Sequence, residues 1–346
     1  MRVLRINGPL LREWLEELSQ WTDLHVPVRA GKDVHRLEPY TSFDRIDLGY
    51  TRTILPPKKF LFPPEETLMT WEADGTCSVP GLPERQTVLF GVHPCDINGI
   101  RILDTFFASF ASPDYYYQRR RQGLRIVGVS CLPDELCFCK SMNAENVLSG
   151  FDLFLHDLGD RMLVSLGTLE GDLLLGERVD TLQEASEEDL RALMDFTARR
   201  RSAFTLELDV SILPQAIKLH QSDPIWERLG EQCLTCGACS LGCPTCTCFD
   251  ITDTNNIEGG ARRSRRWDAC LYRDFARVAG DHNFRPLRSQ RVQNRYYHKQ
   301  VGFAEAFGMP SCVGCGRCIR MCPTGIHFVE VFKSLGSRFL EGAGDG

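Results

Sequence analysis

No stretch of this 346-residue chain approaches the run of about 18 to 20 apolar residues that a bilayer-spanning helix needs, so no membrane segment is expected. Charge of one sign is also scarce. Forty Lys and Arg against 46 Asp and Glu leave a formal net charge of -6, which argues against nucleic acid as a partner. The opening residues MRVLRINGPLLREWLEELSQW contain no apolar export core. Pro9 to Trp21 reads instead as an amphipathic helix with Leu10, Leu11, Trp14, Leu15 and Leu18 on one side. A cytoplasmic location with reduced thiols is expected. A P-loop, a nucleophile elbow and a helix with two metal-binding histidines are all missing, and Gly314-Cys-Gly316 lacks the strand and third glycine of a dinucleotide fingerprint.

Cysteine, by contrast, is abundant. Sixteen of them in a long chain without an export signal do not fit the disulfide framework of a small secreted domain. Eight fall into two copies of one pattern, Cys233-x2-Cys236-x2-Cys239-x3-Cys243-Pro244 and Cys312-x2-Cys315-x2-Cys318-x3-Cys322-Pro323. Each is the ligand run of a bacterial-type 4Fe-4S site, in which three thiolates wrap one cube and the fourth reaches the other. The expected sets are therefore Cys233, Cys236 and Cys239 with Cys322, and Cys312, Cys315 and Cys318 with Cys243. Structural zinc also uses four thiolates, but usually from separated Cys-x2-Cys pairs and without this spacing or its trailing proline.

The length suits two domains. Residues 1–210 read as α/β. Thr87 to Val92 and Leu124 to Ser130 are strand-like with a helical pattern at Ile100 to Phe110 between them, a β-α-β unit whose strands should be parallel neighbours. Phe151 to His156 and Met162 to Gly167 read as a hairpin, and Ser186-x-x-Asp189 opens a helix running to about Ala203. After the break at Asp209 to Pro214, residues 211–335 read as a mainly α-helical ferredoxin-like domain with two 4Fe-4S clusters, and 336–346 as a frayed, flexible tail. The two motifs begin at Cys233 and Cys312, 79 residues apart, so an insertion separates them. Trp267 to Val278 within it has helical periodicity.

Each parallel strand ends near a cysteine: Cys95 follows Phe90 to Pro94, and Cys131 follows Ile126 to Ser130. The carboxyl ends of adjacent parallel strands lie side by side, where ligands tend to bind. Cys137 and Cys139 follow closely enough for a loop to fold them back, so Cys95, Cys131, Cys137 and Cys139 are expected to hold a third 4Fe-4S cluster; the alternative is that they pack as small apolar side chains. Cys246, Cys248 and Cys270 are open among a further metal site, a replacement fourth ligand, and inert packing. Cys77 reads as an ordinary thiol. His93, His282 and His298 read as hydrogen-bonded structural histidines.

From Ala261 to Lys299 there are eleven Lys or Arg against three Asp. Such cations near an anionic cube would stabilise it and raise its potential, and Arg262, Arg263, Arg265 and Arg266 are the leading candidates. A docking face for a partner is the competing role.

Pro56 to Pro63 (PPKKFLFP), Phe90 to Asp104 (FGVHPCDINGIRILD), CLPDELCFC, GFDLFLHDL, CPTCTC, RRWDAC, HNFRP and CVGCGRC together closely resemble the beta subunit of cytosolic NAD(P)-linked nickel-iron hydrogenases, also called sulfhydrogenases. More distantly they resemble the iron-sulfur relay component of anaerobic sulfite reductase. The resemblance covers nearly the whole chain. It implies an anaerobic iron-sulfur electron-transfer subunit, not catalytic alone, that works beside a flavin-binding NAD(P) reductase-like subunit and nickel-iron hydrogenase small and large subunits. The alternatives are a relay in an anaerobic sulfite reductase or a sulfur- or polysulfide-reducing subunit that engages substrate with Cys246, Cys248 and Cys270.

Overall fold

The structure is a computed structural model that describes residues 2–81, 85–255, 257 and 259–343. The chain forms two compact units, one of Met1–Pro57, Leu82–Leu206 and Val313–Cys315, the other of Lys58–Gly81, Glu207–Cys312 and Gly316–Gly346.

The first unit is built on an eight-stranded mixed sheet. Its order is Gln183–Glu184, Val3–Ile6, Met162–Leu166, Leu153–Asp157, Leu124–Val129, Thr87–Val92, Asp23–Gly31, Val34–Pro39. The four strands from Asp23–Gly31 to Leu153–Asp157 run parallel, and the flanking pairs are antiparallel. Buried on both faces, the central strands carry continuous apolar runs such as Val88, Leu89, Phe90. The expected hairpin is Leu153–Asp157 with Met162–Leu166. Helix Gly8–Trp21 starts where Asn7 Oδ1 accepts from the Leu10 N–H, with Pro9 in the first turn. It buries Leu11, Trp14, Leu15 and Leu18 against the sheet core. Helix Glu187–Ser202 opens with the capping box between Ser186 and Asp189.

Helix Pro94–Ala108 begins earlier than the apolar spacing from Ile100 suggested. His93 is its extended N-cap and Pro94 its first residue, so Cys95 lies in the first helical turn.

The second unit contains helices Leu213–Leu219, Ile225–Gln232, Arg288–Tyr297 and Phe328–Ala343, together with a four-stranded antiparallel sheet ordered Phe249–Asn255, Ala261–Trp267, Glu65–Trp71, Cys77–Ser78. Residues 58–81 join this unit because Glu65–Trp71 pairs with Ala261–Trp267. The sheet was not anticipated. The region Trp267 to Val278 contains one short 3-10 turn, Asp274–Ala276, and no α-helix. Ala269, Cys270 and Leu271 are buried in succession, which one face of a helix cannot provide. Helix Phe328–Ala343 runs through most of the segment read as a tail, and Gly344 to Gly346 lie outside the described residues.

Gly128, in strand Leu124–Val129, gives the first unit a sharp packing test. A Cβ there would sit 2.4 Å from Phe154 Cδ2 and 2.9 Å from Ile97 Cδ1. Gly128→Ala is expected to destabilise the chain by roughly 1–3 kcal/mol, seen as a lower urea midpoint under anaerobic conditions.

Candidate iron-sulfur centres

The two ferredoxin runs fold alike at the residue level. In CLTCGAC, Thr235 and Gly237 have φ of 54° and 74°; in CVGCGRC, Gly314 and Gly316 have 65° and 75°. Left-handed backbone two and four residues after the first cysteine turns the loop so that its thiols face inward. Cys233 caps helix Ile225–Gln232, its N–H bonded to the Leu229 carbonyl at 2.9 Å.

Cys233, Cys236, Cys239 and Cys322 line one cavity, with Cys318 also at its wall. The rest of that wall is largely apolar, including Leu271, Val292, Tyr296 and Phe328. Backbone donors already point at sulfur: the Thr235 N–H lies 3.4 Å from Cys233 Sγ and the Ile326 N–H 3.2 Å from Cys322 Sγ. Such bonds stabilise thiolate and raise the potential of whatever it ligates.

Buried cationic side chains lie among the motif cysteines and their neighbours. Arg295 Nη2 donates to the Cys239 carbonyl at 2.7 Å, Lys299 Nζ to Thr245 Oγ1 at 2.8 Å, and Lys58 Nζ to the Cys246 carbonyl at 3.1 Å. All three are buried, and these partners are neutral oxygens. A buried ammonium or guanidinium needs a nearby anion. The groups that favour the charged forms are thiols: Cys239, Cys243 and Cys318 for Arg295, and Cys243, Cys246 and Cys312 for Lys299, where they act against the neighbouring Arg295. This donor set and its cations fit anionic cubes. Burial pushes the Cys243 thiol up, but Lys299 and Arg295 outweigh it and hold the group at about 7.

Arg263, Arg265 and Arg266 take a different part from the one expected. They pair with Asp253, Glu66 and Asp250 across the four-stranded sheet, and Arg262 lies on the same strand. The cations among the motif cysteines come from the other end of the same basic run, Arg295 and Lys299. Lys58, inside PPKKFLFP, and Arg52 had no charge-pattern signal at all.

In the first unit, Cys95, Cys131 and Cys137 are all near enough to Cys139 to act on its thiol. Cys95, Cys137 and Cys139 are buried and Cys131 is half-buried. Cys139 is hydrogen-bonded to Cys137, and that bond, burial and the neighbouring Cys95 and Cys131 all push its thiol up. Burial raises Cys131 to about 12, against the pull of Arg200 and Arg52. Cys137 moves the other way, lowered first by its bond to Cys139 and also by Arg52. Arg52 Nη2 lies 3.2 Å from Cys137 Sγ and also pairs with Asp134, while its Nε donates to the Cys315 carbonyl at 3.1 Å. Phe138, fully buried between two of the thiols, ties their loop to Gly314 through its N–H.

His93 stacks on Tyr50 with ring centroids 3.9 Å apart and donates from Nδ1 to the Thr51 carbonyl. His282 packs edge-on against Phe284. His298 is hydrogen-bonded as expected, its Nδ1 donating to the Asn294 carbonyl at 2.7 Å, and its ring also lies with Cys248 and Cys270. Cys77 is exposed.

Residues 232–326 match the family model of a 4Fe-4S dicluster domain. Along the whole chain, sulfhydrogenase 2 subunit beta of Pyrococcus furiosus is 41% identical over 335 residues, covering 97% of this chain and 98% of that protein. No solved structure matches.

The Cys243 environment gives a pH test on the metal-free chain. A thiol lowered to about 7 stabilises the fold fully above the ordinary thiol range and loses that contribution as pH falls through about 7. Lys299→Met should remove this dependence: urea midpoints of wild type and variant should converge below about pH 6.5 and separate towards pH 9, wild type being the more stable.

Proposed function

The chain belongs to the family of sulfhydrogenase beta subunits, and we propose from that premise that it relays electrons between a flavin-binding NAD(P) reductase-like subunit and the small and large subunits of a nickel-iron hydrogenase. That it is an iron-sulfur electron-transfer subunit follows from the two ferredoxin runs inside a dicluster domain. The observation that carries the finer reading is the relationship to a sulfhydrogenase subunit over 97% of the chain.

Three ligand sets serve this role in our reading: Cys233, Cys236, Cys239 and Cys322; Cys312, Cys315, Cys318 and Cys243; and Cys95, Cys131, Cys137 and Cys139. Supporting the first is the cavity that its four thiols share; supporting the third is the mutual influence of its four thiols. A 4Fe-4S cube supplies, when bound, a place for one electron at a potential set by its surroundings. The protein's part is to hold the thiols rigid, aim N–H groups at sulfur, exclude water with apolar side chains, and place cations close by. Arg52 does the last of these beside Cys137.

Purification of the native complex without oxygen, followed by viologen-linked hydrogen oxidation, tests the assignment. Co-isolation with nickel-containing subunits is expected. Isolation with a sirohaem sulfite reductase and no nickel would transfer the relay to that pathway. About twelve iron and twelve acid-labile sulfide per chain are expected, against about eight if the first unit holds no cube. The double substitution Cys137→Ser, Cys139→Ser should lower that count by one cube and leave the other two. Arg52→Met removes a positive charge from the third set and should lower its midpoint potential by on the order of 50–100 mV, measured by redox titration with electron paramagnetic resonance.

A further inference from the structure

Cys246, Cys248, Cys270 and His298 are left over once the three ligand sets are assigned, yet they are gathered together. The Sγ atoms of Cys248 and Cys270 and a ring nitrogen of His298 all lie within 4.8 Å of one another. Cys246 Sγ lies against Cys248 Sγ, which in turn bonds Cys270. The fold brings them there from separate places. Cys248 immediately precedes strand Phe249–Asn255, and Cys270 comes three residues after its partner strand ends at Trp267. Phe249 is paired with Trp267 at the open end of that hairpin, where the Asp268 N–H bonds the Cys248 carbonyl at 3.0 Å. His298 follows helix Arg288–Tyr297 directly.

The imidazole is set up as a ligand. Its Nδ1 donates to the Asn294 carbonyl at 2.7 Å, so in the neutral ring Nε2 carries the lone pair. A backbone acceptor on one nitrogen that orients the other is the usual support of a metal-ligating histidine.

Spacing separates the candidate occupants. Tetrahedral bonds of about 2.0–2.3 Å to one ion place ligand atoms roughly 3.3–3.8 Å apart. In a cube each thiolate sits on its own iron, which splays the sulfurs wider. The mutual spread of Cys248, Cys270 and His298 within 4.8 Å is that of donors converging on one centre, and Cys246 lies beside Cys248 as the fourth. Inert packing gives no reason for thiols from two strands' ends and an imidazole to meet at one point, whereas such a donor set is that of a divalent zinc ion.

We propose that Cys246, Cys248, Cys270 and His298 bind a single zinc ion in a closed, tetrahedral Cys3His site. With every position filled by protein, the ion is structural. It ties the open end of the Phe249–Trp267 hairpin to the helix that delivers Arg295 and Lys299, and it leaves none of these thiols free to attack a sulfur substrate. The site is independent of the relay.

The test uses the full chain purified without oxygen. Zinc, iron and sulfide are counted by elemental analysis, and X-ray absorption is recorded at the zinc edge. One zinc per chain is expected, with a first shell of three sulfurs at about 2.3 Å and one nitrogen at about 2.0–2.1 Å. Cys270→Ser and His298→Ala should each lower zinc occupancy by roughly tenfold or more, leaving iron and sulfide unchanged. If either variant fails to fold, the wild-type absorption spectrum still decides, because it reports the ligand shell without any substitution. Loss of iron and sulfide together in the folded variants would overturn the proposal by making these residues cluster ligands. Wild-type protein with full iron and sulfide but no zinc would overturn it as well.

Discussion

A thiolate held away from water has to be balanced by positive charge, and the interior of the second unit is arranged around that requirement. Arg295 and Lys299 are buried beside sulfur and anchored through neutral oxygens, so their charge remains directed at the thiols. In the first unit Arg52 is shared between the Asp134 carboxylate and Cys137 Sγ. Apolar neighbours such as Leu271, Val292 and Phe328 lower the local dielectric around Arg295 and the thiols of its cavity and strengthen that interaction. The same low dielectric penalises any cation left without an anion, which makes the fold and its metal content mutually dependent.

The exposed side of the basic run solves a different problem. Asp253 and Asp250 stand directly across from Arg263 and Arg266 in the strand register, and Glu66 across from Arg265. These are cross-strand pairs, and Arg265, buried among Phe62 and Phe249, is the one that also packs. One arginine-rich stretch thus supplies a sheet at its start and the surroundings of the motif cysteines at its end.

Much of the first unit could be read from residues alone, because its strands are apolar runs and its helices carry caps: Asn7, Ser186 and the buried stripe of Trp14 and Leu15 all speak locally. The ferredoxin runs are equally local, since their spacing is a signature of 4Fe-4S binding. The hairpin Phe249–Trp267 was hidden for a physical reason. Its strands are written in Asp, Thr and Arg, so the alternation that normally marks a strand is carried by charge pairing rather than by hydrophobicity. Trp267 to Val278 misled in the opposite sense, its apolar residues being anchors of an irregular turn. His298 carries no local signal, because its partners come from distant parts of the chain.

The sheet of the second unit sets a constraint on how the protein is made. Strand Glu65–Trp71 leaves the ribosome among the first segments, but its partner Ala261–Trp267 comes only after most of the other unit. Until then the early strand has an unpaired edge, and the second unit cannot close. The ferredoxin-like part is therefore not a cassette that can be cut from the chain as one continuous piece. Biogenesis, as much as electron transfer, is written into the order of the strands.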